Sequence, residues 1–327
     1  MKRTKHKKRS HSRVLITGTV LAILGLLVVL AALIVAKFDL QRFYTIHYES
    51  HGYEIAEEFQ SLSISTEGAS LTVLASDDGV CRVICNEANS VFYSIAVQDG
   101  TLHISLDDTR EWYERRLSFT LASPDITVYL PVGSYLDLSL SNTSGSIRVE
   151  PAYTFASILL SSTSGDITCT ASAQGGITAR TESGDVKLSA ARAATLNATT
   201  STGKISLWEL EAHAISAASR TGDIRLADIA STEISATTEP GKITVIDTTA
   251  VGSLYIRSTS GKVSLRRADA AAITVETSSG DISGSLLSPK LFDVSSEHGR
   301  VSHPDSAGSA PCTVRTKRGS VRLDVAN

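Results

Sequence analysis

TESGDVKLSAARAATLNATTSTGKISL, residues 181–207, states one short phrase twice. At Ser183-Gly184 and again at Thr202-Gly203, a glycine is followed by one polar residue and then by Val186 or Ile205. Outward from this stretch the phrase recurs, with glycines at 145, 165, 184, 203, 222, 241, 261, 280, 299 and 319. The gaps between them are 20, 19, 19, 19, 19, 20, 19, 19 and 20 residues. A period this regular is the mark of a repeat architecture.

Alignment on the glycine exposes alternation on both sides. Two residues after it the column is wholly Ile or Val, from Ile147 to Val321. Four after it most repeats place an aliphatic residue such as Leu188, Leu207 or Leu226. Seven before it stand Leu138, Ile158, Ile177, Leu196, Ile215 and their successors, and five before it a small or apolar series such as Leu140, Ala179, Ala198 and Val275. The positions between are mostly Ser, Thr and charged residues. Period-two alternation means strands with one buried face.

Each repeat therefore reads as a strand, a tight turn at the glycine, a second strand and a short return. One such unit cannot close a core, so successive units must stack as rungs. The expectation is an all-β chain: a single-stranded β-solenoid (β-helix) of about ten rungs of 19–20 residues. At ~4.8 Å per rung it would be about 45 Å long. Glycine at the turn is expected to supply a positive φ. A Ser/Thr column three residues before it, from Ser162 and Thr181 to Thr316, has inward parity and should satisfy backbone groups there. The domain boundaries that follow are 138–327 for the solenoid and 61–137 for a β-rich N-terminal cap. Within the cap, short alternating runs are expected at Leu62–Ile64, Leu71–Leu74, Val80–Cys85, Phe92–Val97, Leu102–Leu106, Leu117–Leu121 and Ile126–Leu130. Asp78-Gly79 and Asp99-Gly100 are hairpin signals. The last rung, near Thr316–Val325, is expected at an open edge, either blunted by Lys317, Arg318 and Asp324 or paired edge to edge with another subunit.

Further toward the N-terminus the pattern changes. Val14–Ala36 is a run of 23 residues without a charge. As one transmembrane helix it would span about 35 Å, enough for a ~30 Å hydrocarbon core. Residues 1–13 carry seven cations and no acid, whereas 37–58 hold two cations against five acids. The positive-inside rule then puts residues 1–13 in the cytoplasm and the C-terminal body outside the cell membrane. A cleaved signal peptide is the competing reading, but its apolar run would be shorter and would not place Ile34 third from the cut. Residues 37–60 are read as a juxtamembrane stalk. The net charge of −3 thus divides into +7 in the tail and −10 beyond it, a distribution between two compartments rather than a nucleic-acid surface. The tail could contact anionic lipid, though topology alone explains it.

Candidate chemistry is sparse. The column after the glycine includes Asp166, Asp185, Asp223 and Asp281, but also Lys204, Lys242, Lys262 and Arg300. Stacked calcium sites need oxygen ligands at every site and a ~9-residue period. Alternating signs at Asp185, Lys204, Asp223 and Lys242 read instead as an exposed ion-pair ladder. His213, His298 and His303 have no metal-ligand spacing, and no Gly-x-Ser-x-Gly occurs. Cys81, Cys85, Cys169 and Cys312 read as small buried residues. A glycan-active enzyme, as some β-solenoids are, would need clustered carboxylates, and none is evident. The expectation is no catalytic, cofactor or metal site, and no enzymatic activity.

The stretches SNTSGSIRVE (141–150), SSTSGDITCT (161–170), TESGDVKLSA (181–190) and SRTGDIRLAD (219–228) resemble a bacterial family of β-strand-repeat proteins labelled putative adhesins. The resemblance covers roughly residues 60–327. It implies a surface binding, adhesion or scaffold role, with an extracellular protein or glycan as partner. Some members accompany envelope-stress systems, which implies an accessory or sensor role as the alternative. The family supplies no catalytic residues.

Overall fold

The computed structural model describes residues 8–35, 49–87, 91–108 and 124–326. It divides into two compact units, Met1–His47 with Arg110–Ala122, and Tyr48–Thr109 with Ser123–Asn327. In the first unit the described element is α1, Lys8–Val35. Its described side chains, 17–31 and 34–35, are uncharged and exposed. Among the described residues no helix is long and apolar enough to cross a membrane. The described side chains stop short of Val14 at one end and of Ala36 at the other. Residues 1–7 of the basic tail, Ala36 of the apolar run, 37–48 of the expected stalk and the expected strand Leu117–Leu121 lie outside the described residues.

The second unit is all-β. Its N-terminal strands are β1 (Glu49–Ile55), β2 (Ser61–Ser65), β3 (Ser70–Ala75), β4 (Cys81–Glu87), β5 (Val91–Gln98), β6 (Thr101–Asp108) and β7 (Asp125–Leu130). The repeats begin with β8 (Ser134–Asn142), β9 (Ile147–Val149), β10 (Thr154–Ser162), β11 (Ile167–Cys169), β12 (Ser172–Ala173) and β13 (Gly176–Arg180). Five long strands follow: β14 (Val186–Thr200), β15 (Ile205–Ser219), β16 (Ile224–Thr238), β17 (Ile243–Ser258) and β18 (Val263–Thr277). The C-terminal strands are β19 (Ile282–Leu286), β20 (Leu291–Ser296), β21 (Val301–Ser302), β22 (Pro311–Thr316) and β23 (Val321–Val325).

The repeats stack in parallel with the expected register. Val186 pairs with Ile205, Ile205 with Ile224, and Ile224 with Ile243. The solenoid has about nine turns, against the ten rungs expected. The short return is not a loop. Each of β14 to β18 runs 15 or 16 residues around a corner. At that corner Ala190, Glu209, Asp228, Asp247 and Arg267 adopt φ between 48° and 54°. These are left-handed conformations on ordinary L-residues, which cost strain that the neighbouring rungs must hold.

Glycine at the turns serves a different purpose from the one expected. Only Gly145 of the ten has a positive φ, 103°. At Gly165, Gly184, Gly203, Gly222 and the rest, a Cβ would sit on the carbonyl oxygen of the turn glycine in the neighbouring rung. Close approach of stacked backbones, rather than backbone handedness, excludes every other side chain.

Both ends depart from sequence order. Toward the N-terminus, β2 and β3 form a further parallel rung against β8 and β9, with Leu62 opposite Leu138 and Leu71 opposite Ile147. Ala69 takes the turn position, where its carbonyl would meet a Cβ on Gly145. Beyond them lie β6 and β7, then the antiparallel strands β5 and β4. Asp99-Gly100 does close the β5–β6 hairpin. Asp78-Gly79 does not join paired strands, because β7 lies between β3 and β4. Glu49–Ile55, within the stretch read as a stalk, pair antiparallel with β4.

At the other end, β22 pairs with both β18 and β20, and β23 with both β19 and β21. The rung of Gly319 is therefore inserted between those of Gly280 and Gly299. The open edge belongs to β20 and β21, not to Thr316–Val325. Burial agrees: Val321 is 1% exposed, whereas Val301 is 36% and Leu291 53% exposed. Four residues after the glycine, the repeat of Gly299 has His303 and that of Gly280 has Gly284 where most repeats have an aliphatic residue. Gly284 is nonetheless sandwiched between Leu265 and Leu323, whereas His303 lies in the rung that ends the stack. His303 stacks beside Phe292 at 5.4 Å, and Ser306 covers the outward Phe292 N–H at 3.0 Å.

Candidate binding surfaces

The turn columns prove to be structural. Most of the buried hydroxyls three residues before a glycine join two rungs. Thr200 Oγ1 accepts from the Gly203 N–H at 3.1 Å and donates to the Gly184 carbonyl at 3.0 Å. Ser219 and Ser258 repeat the pattern with donor bonds of 3.1 and 3.0 Å to Gly203 and Gly241. Asn142 fills the place in the first repeat, donating to the carbonyls of Ala69 and Gly145. A long inward-pointing hydroxyl column is thus consumed by backbone groups that the turn leaves unpaired.

The aspartates after the glycines also bind backbone. Asp166 accepts from the Asp185 N–H, Asp185 from Lys204, Asp223 from Lys242 and Asp281 from Ser320, each at 2.8 Å. No ion pair joins Asp185, Lys204, Asp223 and Lys242 among the described residues, so the ladder expected from their signs is replaced by carboxylate-to-amide bridges. Ion pairs fall elsewhere, at Arg192–Glu211 (2.9 Å), Arg267–Asp247 and the buried Lys290–Asp269.

The four cysteines are free and buried. Burial pushes the Cys81 and Cys312 thiols up to about 11 and the Cys85 and Cys169 thiols up to about 12, so they stay protonated and unreactive. The buried Glu87 carboxylate accepts from Tyr53 Oη at 2.6 Å and the Tyr93 N–H at 2.9 Å, one bond to each oxygen. That bond to Glu87 raises the Tyr53 hydroxyl to about 12. Among the described residues no group of three or more His, Cys, Asp or Glu side chains could hold a metal ion. His213 and His298 are exposed and well apart in the repeats.

Two hollows offer contact surface. One, of about 760 Å³, lies where Phe59, Val80, Pro131 and Tyr135 meet Glu57 and Glu58. Its Tyr135 wall is fixed by an aromatic cluster, with ring centroids 6.2 Å from Phe59 and 5.7 Å from Phe155, and by a 2.8 Å bond to the Pro131 carbonyl. The other, of about 300 Å³, crosses β14 to β17 on the outer face of the strands that precede the turns. Thr195, Asn197, Ser216, Glu233, Ser253 and Tyr255 line it. The strand parity that sends Leu196, Ile215, Ile234 and Leu254 into the core sends these outward. Alternation in the sequence shows that these positions face outward, but only the stacking shows which of them are neighbours.

The pairing and the glycine stacking define a parallel β-solenoid whose surfaces offer hydrogen bonding and stacking. The chain belongs to the Toastrack DUF4097 family, whose model matches residues 59–324. A comparison with curated proteins finds no match. Among solved structures, a protein titled a putative adhesin from Bacteroides fragilis is similar at 13% identity, TM-score 0.42, over 86% of this chain and 97% of that one. A second putative adhesin, from Parabacteroides distasonis, shares 12% identity, TM-score 0.45, over 86% and 97%. A protein from the same organism titled a putative lipid binding protein shares 14%, TM-score 0.33, over 85% and 97%.

Proposed function

We propose that this chain is a membrane-anchored binding protein of the bacterial surface, acting by adhesion or scaffolding and without catalysis. The observation that carries the reading is the division of labour in each rung. Turn hydroxyls and aspartates are occupied within the solenoid, while the outer columns over β14 to β17 leave a hollow lined by hydrogen-bonding side chains, Glu233 among them. The apolar run Val14–Ala36 after seven cations supports an anchor with the tail in the cytoplasm and the solenoid outside. Self-association through a sheet edge would use β20 and β21.

The test is to express the full chain in a bacterial host and add an external protease. Digestion of the solenoid in intact cells, with a protected N-terminal tag, is the expected result. Attachment of those cells to surfaces or wall material should exceed that of cells lacking the protein. A solenoid digested only after lysis would overturn the topology. Envelope signalling is the second reading, favoured by the cationic tail beside the apolar run. It predicts that replacing residues 1–13 by an uncharged sequence abolishes a stress response while attachment persists.

A further inference from the structure

We infer that the hollow across β14 to β17 is a subsite for a linear, uncharged polysaccharide lying along the stacking axis. This rests on the surface-binding reading and names the class of molecule bound. Its first support is periodicity. Thr195, Ala214, Glu233 and Ser253 occupy equivalent positions on four successive rungs, as do Asn197, Ser216, Ser235 and Tyr255. The hollow therefore runs across the strands, about 14 Å over three rung spacings. A pyranose unit of an extended chain is ~5 Å long, close to the ~4.8 Å rung spacing, so successive sugars would meet successive rungs.

Shape and chemistry agree with such a ligand. Ala214, Ser216 and Ser235 are short and half-buried, and they make the floor between the longer Asn197 and Tyr255. Hydroxyl and amide groups both donate and accept, which suits the vicinal hydroxyls of a sugar. Tyr255 Oη donates to Glu276 at 3.2 Å, which holds the ring in place as a half-buried apolar platform at one end. Glu233 has no ion pair or side-chain hydrogen bond among the described residues, so its carboxylate is free to accept from a ligand hydroxyl.

A second, independent feature falls at the same place. The repeat that follows Gly241 has 20 residues instead of 19, and the extra residue is absorbed as a register shift between Ala250 and Ser253. On the other side of β17 the same extra residue falls opposite Ser231–Glu233 of β16. Irregularities of this kind re-aim side chains, and this one sets Glu233 and Ser253 at the wall of the hollow. Gly252 lets the backbones close up, since a Cβ there would lie 3.0 Å from the Thr232 carbonyl.

The full chain in detergent micelles should co-sediment with particulate cellulose or chitin, with saturation. Tyr255→Ala should weaken that binding about tenfold, the loss expected for one stacked ring. Ala214→Trp, which fills the floor from outside the core, should abolish it. Arg225→Ala, in an outward column after the turn, should bind as the parent does. Unchanged melting of each variant would show that the fold is kept. Parent-like binding by both hollow variants would overturn the subsite. So would attachment to cells with no binding to either polysaccharide, an outcome that leaves the surface-binding reading standing. Absence of both kinds of binding would remove the two together.

Discussion

The middle of the solenoid and its C-terminal end are written in the same repeat but built differently. From Gly184 to Gly261 each rung lies on the one before it in sequence, and every aliphatic residue two after the glycine is at most 1% exposed. From Gly280 onward the chain passes outward to β20, returns, and places β22 and β23 inside. His303 and Gly284 both stand where most repeats have an aliphatic residue, and of the two only the rung of His303 ends the stack. The lesson is that the glycine period specifies what a rung is but not where it sits.

The largest effect should separate the two regions outright. Ile224→Asp puts an unpaired charge in the middle ladder and should destabilise by about 4 kcal/mol or more, whereas Val301→Asp at the exposed edge should cost less than ~1 kcal/mol. Equal losses in denaturant melts would contradict the inserted order at the C-terminus. Next, Gly203→Ala should cost about 3 kcal/mol because its methyl meets a backbone carbonyl. Gly79→Ala, in open space, should cost only the ~1 kcal/mol of its left-handed φ. Melting temperatures of the two would rank stacking against handedness.

Smaller changes sharpen the account of the turns. Thr200→Ala removes both of its bonds to neighbouring turn backbones and should cost about 1–3 kcal/mol, with Thr200→Ser restoring most of it. A neutral alanine variant, judged by urea midpoint, would show that the backbone groups find other partners. Last, Asp223→Ala should lose about 1 kcal/mol, while Asp223→Asn, which keeps the accepting oxygen, should stay within ~0.5 kcal/mol. Stability that falls equally in both variants would restore charge, rather than hydrogen bonding, as the role of that column.

Much of this was legible in the sequence because period-two alternation reports burial directly. The ladders of Ile205 and Leu207, the inward Thr200 and the buried Cys169 were all placed by parity. What escaped notice depended on contacts between rungs. The need for glycine was misread because a sequence carries the residue type but not the carbonyl of the next rung. Asp223 was read as a charge beside Lys242, yet its partner is the Lys242 backbone N–H, which every residue possesses. The rung of Leu62 to Val73 went unrecognised because Ala69 stands in the glycine place and Thr66 begins the hydroxyl column one repeat early. The hollow beside Tyr255 needed four rungs in register before its residues became neighbours.

The inserted rung also constrains how the molecule is made. Residues 311–325 leave the ribosome after β18 to β21, yet they belong between those strands. Growth from the N-terminus can lay down rungs in order only as far as Gly280. Beyond that point, the outer strands of the Gly299 rung have no parallel neighbour until residues 311–325 arrive. A chain stopped before residue 311 therefore forfeits two rungs instead of one. Synthesis of residues 311–325 becomes a condition for closing this end, so a product ended before them would expose a bare strand edge to the cell's proteases.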